Sequence, residues 1–528
     1  MGQPEYQFTP AEYPILPGGP YSPTHAPWRR VAYASVACVT GIAATLGNAL
    51  ISTNTSSLAG SLGEYVATVT LLPAIYVAIT SSGNLLLVKA RIHWGIPAVT
   101  QGVLAVNALA ALLQLIFPTF ALAVVSRVTS GLTAAALVAV TIFYLLQVFP
   151  PKRRPAALVV GIGLTQFGIP LARLFPVEML AQHHWRNLHL IELAIPLAVL
   201  AVLQSFPLPP SNRGKAFEPA LDLTTVALVV PAMLLISLVL SGGRLYWWTD
   251  TPWLGWALVA AAPLLAAAIL IEAHRSKPLL YLEWLGSGGI LRFAAVALLV
   301  RIALAEQTYG SVGLLTSGGL NNEQLRTLFL FVAGSMVLGM ATAVLTIDPQ
   351  RLRQQVIVAA LIIALGAWLD SHATNQTRPQ ELYLSQSLLG FGTTLFIGPA
   401  LAYGFLRMLE KGPTYFVSLV VLFSSTQNIG GLAGSALLGS YQVIAARSHL
   451  IALTEHLVAA DPQVVARVQA QGAAPLFQAA AREATILGFN DVFRFVALLA
   501  LAVALFLCCL VLRDLLRGRR GLAQQVSA

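Results

Sequence analysis

Charged residues are scarce in this chain. Aspartate, glutamate, lysine and arginine make up 10% of its 528 residues, whereas 57% of the residues are hydrophobic. Soluble globular proteins carry about 25% charged residues, so the composition excludes that class. The mean hydropathy of +0.75 indicates an integral membrane protein. The net charge of +10 does not indicate a nucleic-acid partner, because the basic residues are scattered in twos and threes between apolar runs instead of forming a stripe.

Cysteine is almost absent, and common enzyme motifs are missing. The three cysteines all lie inside apolar segments, which excludes a disulfide framework. His183, His184 and His189 lie close together, and we expect them to belong to an outer loop rather than to bind a metal. The chain contains no HExxH or GxSxG motif and no cluster of catalytic residue types at one depth of its apolar segments. We expect no enzyme activity, no metal and no cofactor.

Long apolar runs are the main feature of the sequence. Runs of about 18 or more residues predict transmembrane helices, and fourteen of them occur. They are residues 31–53, 64–86, 95–117, 119–148, 155–181, 187–206, 222–241, 252–272, 288–312, 325–346, 354–370, 380–406, 414–442 and 491–512. The sequence therefore predicts an all-α, polytopic membrane protein.

Basic residues are concentrated in alternate loops. Each loop on one side of the predicted bundle holds at least two, as in "VKARIH", "PPKRRP" and "DPQRLRQQ". The loops on the other side hold single basic residues, such as Arg186 and Arg244. Because cytoplasmic loops carry the excess of lysine and arginine, this pattern predicts an even number of spans with both termini in the cytoplasm. The first 27 residues lack the basic start and cleavage site of a secretory signal, and we interpret them as part of a cytoplasmic tail.

One connection is much longer than the others. The stretch 443–490 is polar and alanine-rich, with a helical pattern interrupted at Asp461-Pro462. It is not apolar enough to cross a membrane. We predict a helical hairpin outside the membrane, on the side opposite the termini.

Two parts of the chain resemble each other. "SRVTSG" in the fourth span precedes "SQSLLG" in the twelfth by 259 positions, and the glycine-rich stretch 161–170 matches 427–436. Repeated six-helix halves with glycine-broken helices are typical of secondary transporters. The predicted organisation is then a cytoplasmic tail (1–30), an N-terminal six-helix bundle (31–206), a linker with two inserted helices (207–287), a C-terminal six-helix bundle (288–512) and a second cytoplasmic tail (513–528).

Short motifs add a family resemblance. Arg127 lies four residues before Gly131 in the fourth span, and Trp185-Arg186 precedes the sixth span. Asp222 begins the inserted helices, and Glu272 begins the stretch "EAHRSKPLL" at their end. Two further motifs are "QNIGGLAGSA" from 427 and "FNDVFRFVALL" from 489. In these features the chain resembles the major facilitator superfamily, specifically its 14-span drug:proton antiporter branch (EmrB/QacA type). The resemblance implies a major facilitator fold of two six-helix bundles plus two inserted helices.

The resemblance also implies a function. Members of that branch export amphipathic or aromatic compounds by alternating access, driven by protons, from the inner membrane of bacteria. A periplasmic membrane-fusion adaptor and an outer-membrane channel are implied as partners, and the predicted hairpin is where an adaptor would dock. The residues leave an alternative open, which is proton-coupled uptake of an organic acid with Arg173 or Arg301 as an anion clamp.

The chain departs from the family at the positions that usually handle protons. The first span has no acid in "TLGNALISTNTSS", and the cytoplasmic gate loop after the second span keeps Gly83, Lys89 and Arg91 without its usual acid. The fifth-span motif reads Gly168-Ile-Pro170 and is followed by Arg173. If the protein is proton driven, other acids must replace the missing ones.

Ionisable residues inside predicted spans are candidates for that role, since they are costly at membrane depth unless they are functional or paired. The proton-coupling or cavity candidates are Arg127, Arg173, Glu192, Arg301 and Glu306. Because loss of water disfavours the charged form of a carboxylic acid, Glu306 and Glu192 are the proton-carrier candidates. We expect Arg127 to act on Glu306 across the two halves; a structural role for Arg127 is the alternative. The acids at span ends, Glu64, Glu178 and Asp370, are expected to be solvated.

Glycines and a proline mark places of close helix contact or bending. The motif positions are Gly83, Gly131, Gly163, Gly168, Pro170, Gly430 and Gly431. Small residues allow helices to approach closely in membranes, which serves simple packing and also the rocking of two halves against each other.

Overall fold

The computed structural model describes residues 8–9, 12–14, 16, 18–175, 185–211, 219–458 and 460–516. Within these ranges the chain forms helices and turns, and no β-strand is present. The structure confirms the predicted all-α polytopic fold. Glu178, His183 and His184 lie outside the described residues, as do 11 residues of the first predicted tail and residues 517–528 of the second.

The described residues of the N-terminal half form ten α-helices. They are α1 (Pro27–Thr53), α2 (Thr55–Leu62), α3 (Val66–Val69), α4 (Leu72–Ser82), α5 (Asn84–Trp94), α6 (Ile96–Ile116), α7 (Phe120–Val148), α8 (Arg154–Leu164), α9 (Gly168–Ala172) and α10 (Trp185–Ser205). Helix boundaries follow local chemistry, since the Thr119 hydroxyl accepts from the backbone N–H of Leu122 at 3.3 Å and caps α7. Gly63 ends α2 in the left-handed conformation.

Two inserted helices and nine further helices complete the chain. The inserted pair is α11 (Pro219–Leu245) and α12 (Pro252–His274). The remaining helices are α13 (Leu282–Leu285), α14 (Gly288–Ala303), α15 (Ser311–Ser317), α16 (Asn322–Leu345), α17 (Leu352–Asp370), α18 (Tyr383–Leu409), α19 (Phe416–Glu455), α20 (Pro462–Gln471) and α21 (Ala473–Leu516). A five-residue π-helical turn, Glu306–Gly310, lies between α14 and α15.

The count of membrane spans agrees with the prediction. Thirteen helices of the described residues are long and apolar enough to cross a membrane, and there are fourteen if the bent pair in the second span is one crossing. That pair, Thr55–Leu62 and Val66–Ser82, bends by 114°. With fourteen crossings that alternate in direction, α1 would begin and α21 would end at the same face, which we call the N-terminal face.

Two helical bundles pack side by side, with the inserted pair at their edge. In the first, α1, α4 and α6 pack against α7, and α6 also packs against α10; in the second, α16 and α17 pack against α18, and α21 against α17 and α19. The inserted α12 packs mainly on α11, whereas α11 also contacts α4 of the N-terminal half and α19 of the C-terminal half. The inserted pair is therefore attached to both halves.

The predicted hairpin at 443–490 is helical, but it is not a separate unit. Its arms are continuations of the membrane helices α19 and α21, which are 40 and 44 residues long, and the short α20 connects them. His449 Nε2 and an Asp491 carboxylate oxygen lie 2.7 Å apart and join the two arms. The prediction ended both helices at the membrane surface, whereas an alanine-rich sequence continues as helix in water.

Candidate functional site

A central cavity lies between the two halves. It is a cleft of about 1270 Å³, part of it open to solvent. Its walls come from α1, α4 and the α8–α9 region on one side and from α14, the π turn and α19 on the other. Its polar lining consists of Thr45, Asn48, Ser52, Thr53, Tyr76, Thr165, Gln166, Arg173, Arg301, Thr308, Tyr309, Gln427, Asn428 and Ser435.

Arg173 enters the cavity from the N-terminal half. The fifth span is broken there, because a 3-10 turn (Thr165–Phe167) separates α8 from α9. The Nη1 group of Arg173 donates to the side-chain oxygen of Asn322 at 2.5 Å, and the guanidinium lies 5.0 Å from the centre of the Phe329 ring. Asn322 in turn donates to the backbone oxygen of Thr53 at 3.1 Å. Arg173 therefore also ties the two halves together at the face opposite the N-terminal face.

Arg301 enters the cavity from the C-terminal half. Its Nε donates to the backbone oxygen of Gln427 at 3.0 Å, and no acceptor among the described residues bonds to its two Nη groups. Gly430 and Gly431 make room for the side chain, since a Cβ atom at Gly431 would lie 3.0 Å from Arg301 Nη2. The glycines singled out in the sequence thus position this arginine.

The cavity carries positive charge without a matching acid. Both arginines line it, and no aspartate or glutamate does among the described lining residues. Several buried polar atoms on its wall also lack a hydrogen-bond partner, namely both side-chain polar atoms of Gln427, Asn48 Oδ1 and Arg173 Nε. Buried polar groups are normally hydrogen bonded, so these atoms are available to bond water or a polar ligand.

A pair of buried carboxyl groups lies beside this cavity. Glu306 is in the π turn, and Asp370 ends α17; they are 0% and 1% exposed. The side-chain amide of Gln386 on α18 joins them, with Nε2 lying 2.6 Å from Asp370 Oδ2 and 3.2 Å from Glu306 Oε1. The same π turn presents Thr308 and Tyr309 to the central cavity. π-Helical turns inside α-helices are frequent at functional sites.

The carboxyl pair is suited to hold a proton. The two carboxylate oxygens that accept from Gln386, one of Glu306 and one of Asp370, lie within about 6 Å of each other. Two ionised groups at that distance would repel by about 3 kcal/mol at an effective dielectric constant of about 20. No lysine, arginine or histidine in the described part of the chain forms an ion pair with either group. Protonation of one of the two carboxyls removes this repulsion. The expectation that Asp370 is solvated is wrong, because the segment after α17 folds over it, with Ser371, Ala373 and Thr377 also buried.

Arg127 lies in the N-terminal half and does not reach Glu306. Its guanidinium contacts the carboxylate of Glu192 on α10, and His189 Nδ1 lies 3.1 Å from the same carboxylate. All three side chains are buried. The predicted pairing of Arg127 with Glu306 is therefore wrong, because Arg127 reaches an acid of its own bundle, where α10 packs on α1 and α6 and both of these pack on α7. His189 is likewise a buried residue of α10 and not part of an outer loop.

The segment predicted as the gate loop is helical, because Lys89 and Arg91 lie in α5, and an acid of the inserted helices pairs with it. Lys89 Nζ lies 2.9 Å from an Asp222 oxygen at the start of α11. Arg275, just after α12, binds the same Asp222 oxygen at 2.7 Å and Glu272 at 2.9 Å. Glu272 also accepts from the backbone N–H of Leu280 at 3.0 Å. This network joins the gate loop of the N-terminal half to the segment that enters the C-terminal half, and Arg91, buried below it, lies over the Phe143 ring.

We predict that Asp222→Asn destabilises the protein. The substitution leaves Lys89 and Arg275 without a full counter-charge in a largely buried network, and removing one partner of a buried ion pair costs about 3 kcal/mol or more. The expected result is a fall of several degrees in Tm of the purified protein. Asp250→Asn, in an exposed loop, is the matched control and should leave Tm unchanged. Equal Tm values for the two variants would contradict a stabilising role of the network.

The remaining motif residues lie at close helix contacts. A Cβ atom at Gly163 would approach Met340 Sδ to 2.8 Å, across the seam between the halves, and one at Gly168 would collide with Thr45 of α1. Pro170 is buried in α9. Gly131 packs on α4, where a Cβ atom would lie 2.9 Å from the Tyr76 backbone oxygen. Gly83 separates α4 from α5.

Comparison with known proteins identifies the fold. No protein-family model and no curated protein sequence matches the chain. Among solved structures, the human organic anion transporter MFSD10 (TETRAN) matches with a TM-score of 0.53 and 14% identity, covering 90% of this chain and 100% of that one. A bacterial homologue of the human drug peptide transporters PepT1 and PepT2 matches with a TM-score of 0.56, 11% identity and coverage of 93% and 99%. The proton:xylose symporter XylE matches with a TM-score of 0.51 and 14% identity, covering 90% of this chain and 95% of that one.

These similarities define a class of fold. The three neighbours are transporters, and XylE is described as a member of the major facilitator superfamily. At 11–14% identity the likeness concerns the fold alone. The chain has the major facilitator fold, with two six-helix bundles and an inserted helix pair.

Proposed function

We propose that this protein is a proton-coupled secondary transporter of anionic small molecules that works by alternating access between its two bundles. The observation that carries the proposal is the central cavity, with Arg173 on one half and Arg301 on the other and no acid among its described lining residues. An anion in this cavity would contact both halves at once. Its binding would then depend on how the halves are arranged, which alternating access requires.

The Glu306–Asp370 pair supplies a site for the coupled proton. It lies in the same half as Arg301, and Glu306 is on the turn that presents Tyr309 to the cavity. Movement of this turn on substrate binding would change the water access of the carboxyls and hence their proton occupancy. This site replaces the acid that is missing from the first span. The buried Arg127–Glu192 pair of the other half is the second candidate for proton handling.

The substrate class separates this proposal from the multidrug exporter implied by the sequence resemblance. Amphipathic or aromatic drugs without an acidic group would displace water from the two cavity arginines and leave them without a counter-ion, which is unfavourable. Of the two alternatives drawn from the sequence, the arrangement of charges favours the organic acid. One structural neighbour is itself described as an organic anion transporter, which supports the same choice.

The proposal is tested by counterflow in vesicles containing the purified protein. Vesicles loaded with an unlabelled dicarboxylic acid such as succinate, or with an aromatic acid such as benzoate, are diluted into the labelled compound without a proton gradient. We expect protein-dependent exchange of at least one acid and none of a cationic aromatic dye such as ethidium. Exchange of ethidium with no exchange of any acid would favour the drug exporter.

Location and partners follow from the same proposal. The basic loops lie at the N-terminal face, so we place that face and both termini in the cytoplasm, with the protein in a bacterial inner membrane. The extended α19–α21 hairpin then projects into the periplasm. Docking of a membrane-fusion adaptor and an outer-membrane channel on this hairpin stays a prediction.

A further inference from the structure

The C-terminal bundle contains a second cavity, which we call the C-bundle pocket. It is a cleft of about 600 Å³, part of it open to solvent, between α14, α17, α18 and α21 near the N-terminal face, and it shares no lining residue with the central cavity. Its walls are apolar and buried, formed by Phe293, Val296, Ala297, Val356, Phe396, Ala400 and Leu507. These side chains form an apolar wall that the open part of the cleft reaches.

Arginines surround the polar end of this pocket. Arg292, Arg353 and Arg513 line it together with Tyr403. Arg353 is the most enclosed of the three: its Nη2 donates to the Tyr403 hydroxyl at 3.3 Å, and its guanidinium lies 5.5 Å from the centre of that ring. No hydrogen bond or ion pair ties Arg292 to another described residue.

One acidic residue of the chain forms ion pairs with two of these arginines. Asp514, two residues from the end of α21, accepts from Arg353 Nη1 at 2.6 Å and from Arg513 Nη2 at 3.4 Å. Three arginines and one aspartate leave an excess positive charge at the mouth of an apolar cavity.

We propose that the C-bundle pocket binds an amphipathic carboxylate, meaning a small organic acid with an apolar chain or ring. The carboxylate bonds to Arg353 in place of Asp514, and the apolar part fills the space between α14, α17 and α18. Apolar walls with a few placed polar groups are typical of small-molecule sites. An inorganic anion would leave the apolar walls unfilled, so the walls and the arginines together select an acid with an apolar part.

Asp514 acts as an internal competitor in this scheme. The ligand must displace it from Arg353, so the affinity reflects the difference between two carboxylates at the same guanidinium. Removing the charge of Asp514 should therefore tighten binding, and removing Arg353 should weaken it. A gain of affinity cannot arise from misfolding, which makes the Asp514 variant the decisive one.

The test is equilibrium dialysis of radiolabelled octanoate against the purified full-length protein in a non-ionic detergent. We expect saturable binding that Arg353→Ala weakens about tenfold or more, since a charge-assisted hydrogen bond contributes on that order, and that Asp514→Asn tightens severalfold. Arg351→Ala is the matched control, because Arg351 is exposed and outside the pocket, where it lies 3.6 Å from Asp348. Unlabelled acetate, which lacks an apolar chain, should compete at least about tenfold more weakly than unlabelled octanoate.

Three results would overturn the proposal. The first is octanoate binding that is not saturable, or an octanoate affinity that is the same in the wild type, in Arg353→Ala and in Asp514→Asn. The second is binding abolished by Arg301→Ala and unchanged by Arg353→Ala, which would place octanoate in the central cavity. The third is competition by acetate as strong as that by octanoate. None of these readouts depends on transport, so the outcome is independent of the proposed function.

Discussion

Replacing Glu306 with glutamine should abolish proton-driven accumulation of the substrate while leaving exchange intact. Glutamine keeps the size and the hydrogen bonding to Gln386 but cannot release a proton, so the carboxyl pair loses its exchangeable charge. In vesicles with an imposed proton gradient, we expect uphill accumulation to fall at least about tenfold. Counterflow without a gradient should continue and should no longer change with pH, because the protonation step has been removed.

Matched variants separate this effect from general damage. Asp370→Asn should behave like Glu306→Gln, since the two carboxyls act through the same amide of Gln386. Glu323→Gln is the control, because Glu323 is an exposed carboxylate at the start of α16. If Glu306→Gln keeps pH-dependent accumulation and Glu192→Gln loses it, the proton is carried by the Arg127–Glu192 pair of the N-terminal half.

Removing either cavity arginine should weaken substrate binding strongly. Hydrogen bonds to charged groups contribute about 1.5–3 kcal/mol each, which corresponds to about a 10- to 150-fold change in affinity. We expect Arg173→Ala and Arg301→Ala each to raise KM for the transported anion by about that factor, as measured by counterflow over a range of substrate concentrations. Arg301→Lys should keep part of the affinity because lysine keeps the positive charge. The rest should be lost because lysine lacks the planar pair of donors.

An exposed arginine provides the control for this prediction. Arg494→Ala, on α21 and outside both cavities, should leave KM unchanged. Tm of each variant shows whether the bundles remain folded. Unchanged KM in both cavity variants would contradict an anion site between the halves.

The fold could be predicted from the sequence because apolar runs are a local property. Span number, span position and the broken fifth helix all follow from runs of residues read in order. Helix ends outside the membrane could not be predicted from the same signal, since hydropathy marks the membrane surface and not the last hydrogen-bonded turn. That is why α19 and α21 continue through most of the segment predicted as a separate hairpin.

The candidate site was predicted in part. The sequence identifies ionisable residues inside spans, but which of them meet depends on helix packing. Glu192 lies 65 positions from Arg127, and Asp370 and Gln386 lie 64 and 80 positions from Glu306. Asp370 was missed because it is close to a helix end, and burial by the following segment is a tertiary effect. One sequence signal does point to the carboxyl pair, because the internal repeat aligns Arg127 with Gln386. Each of these two residues contacts a buried acidic side chain in its own half, Glu192 for Arg127 and Asp370 for Gln386.

The most direct test of proton coupling is the movement of protons that substrate causes. Vesicles containing the purified protein enclose a pH-sensitive dye, and a transported organic acid is added outside at equal pH on both sides. The account predicts a substrate-dependent change of internal pH with wild-type protein and with Glu323→Gln, and none above the protein-free background with Glu306→Gln or Asp370→Asn. A wild-type protein that exchanges the acid without moving protons, or carboxyl variants that move them at the wild-type rate, would contradict it.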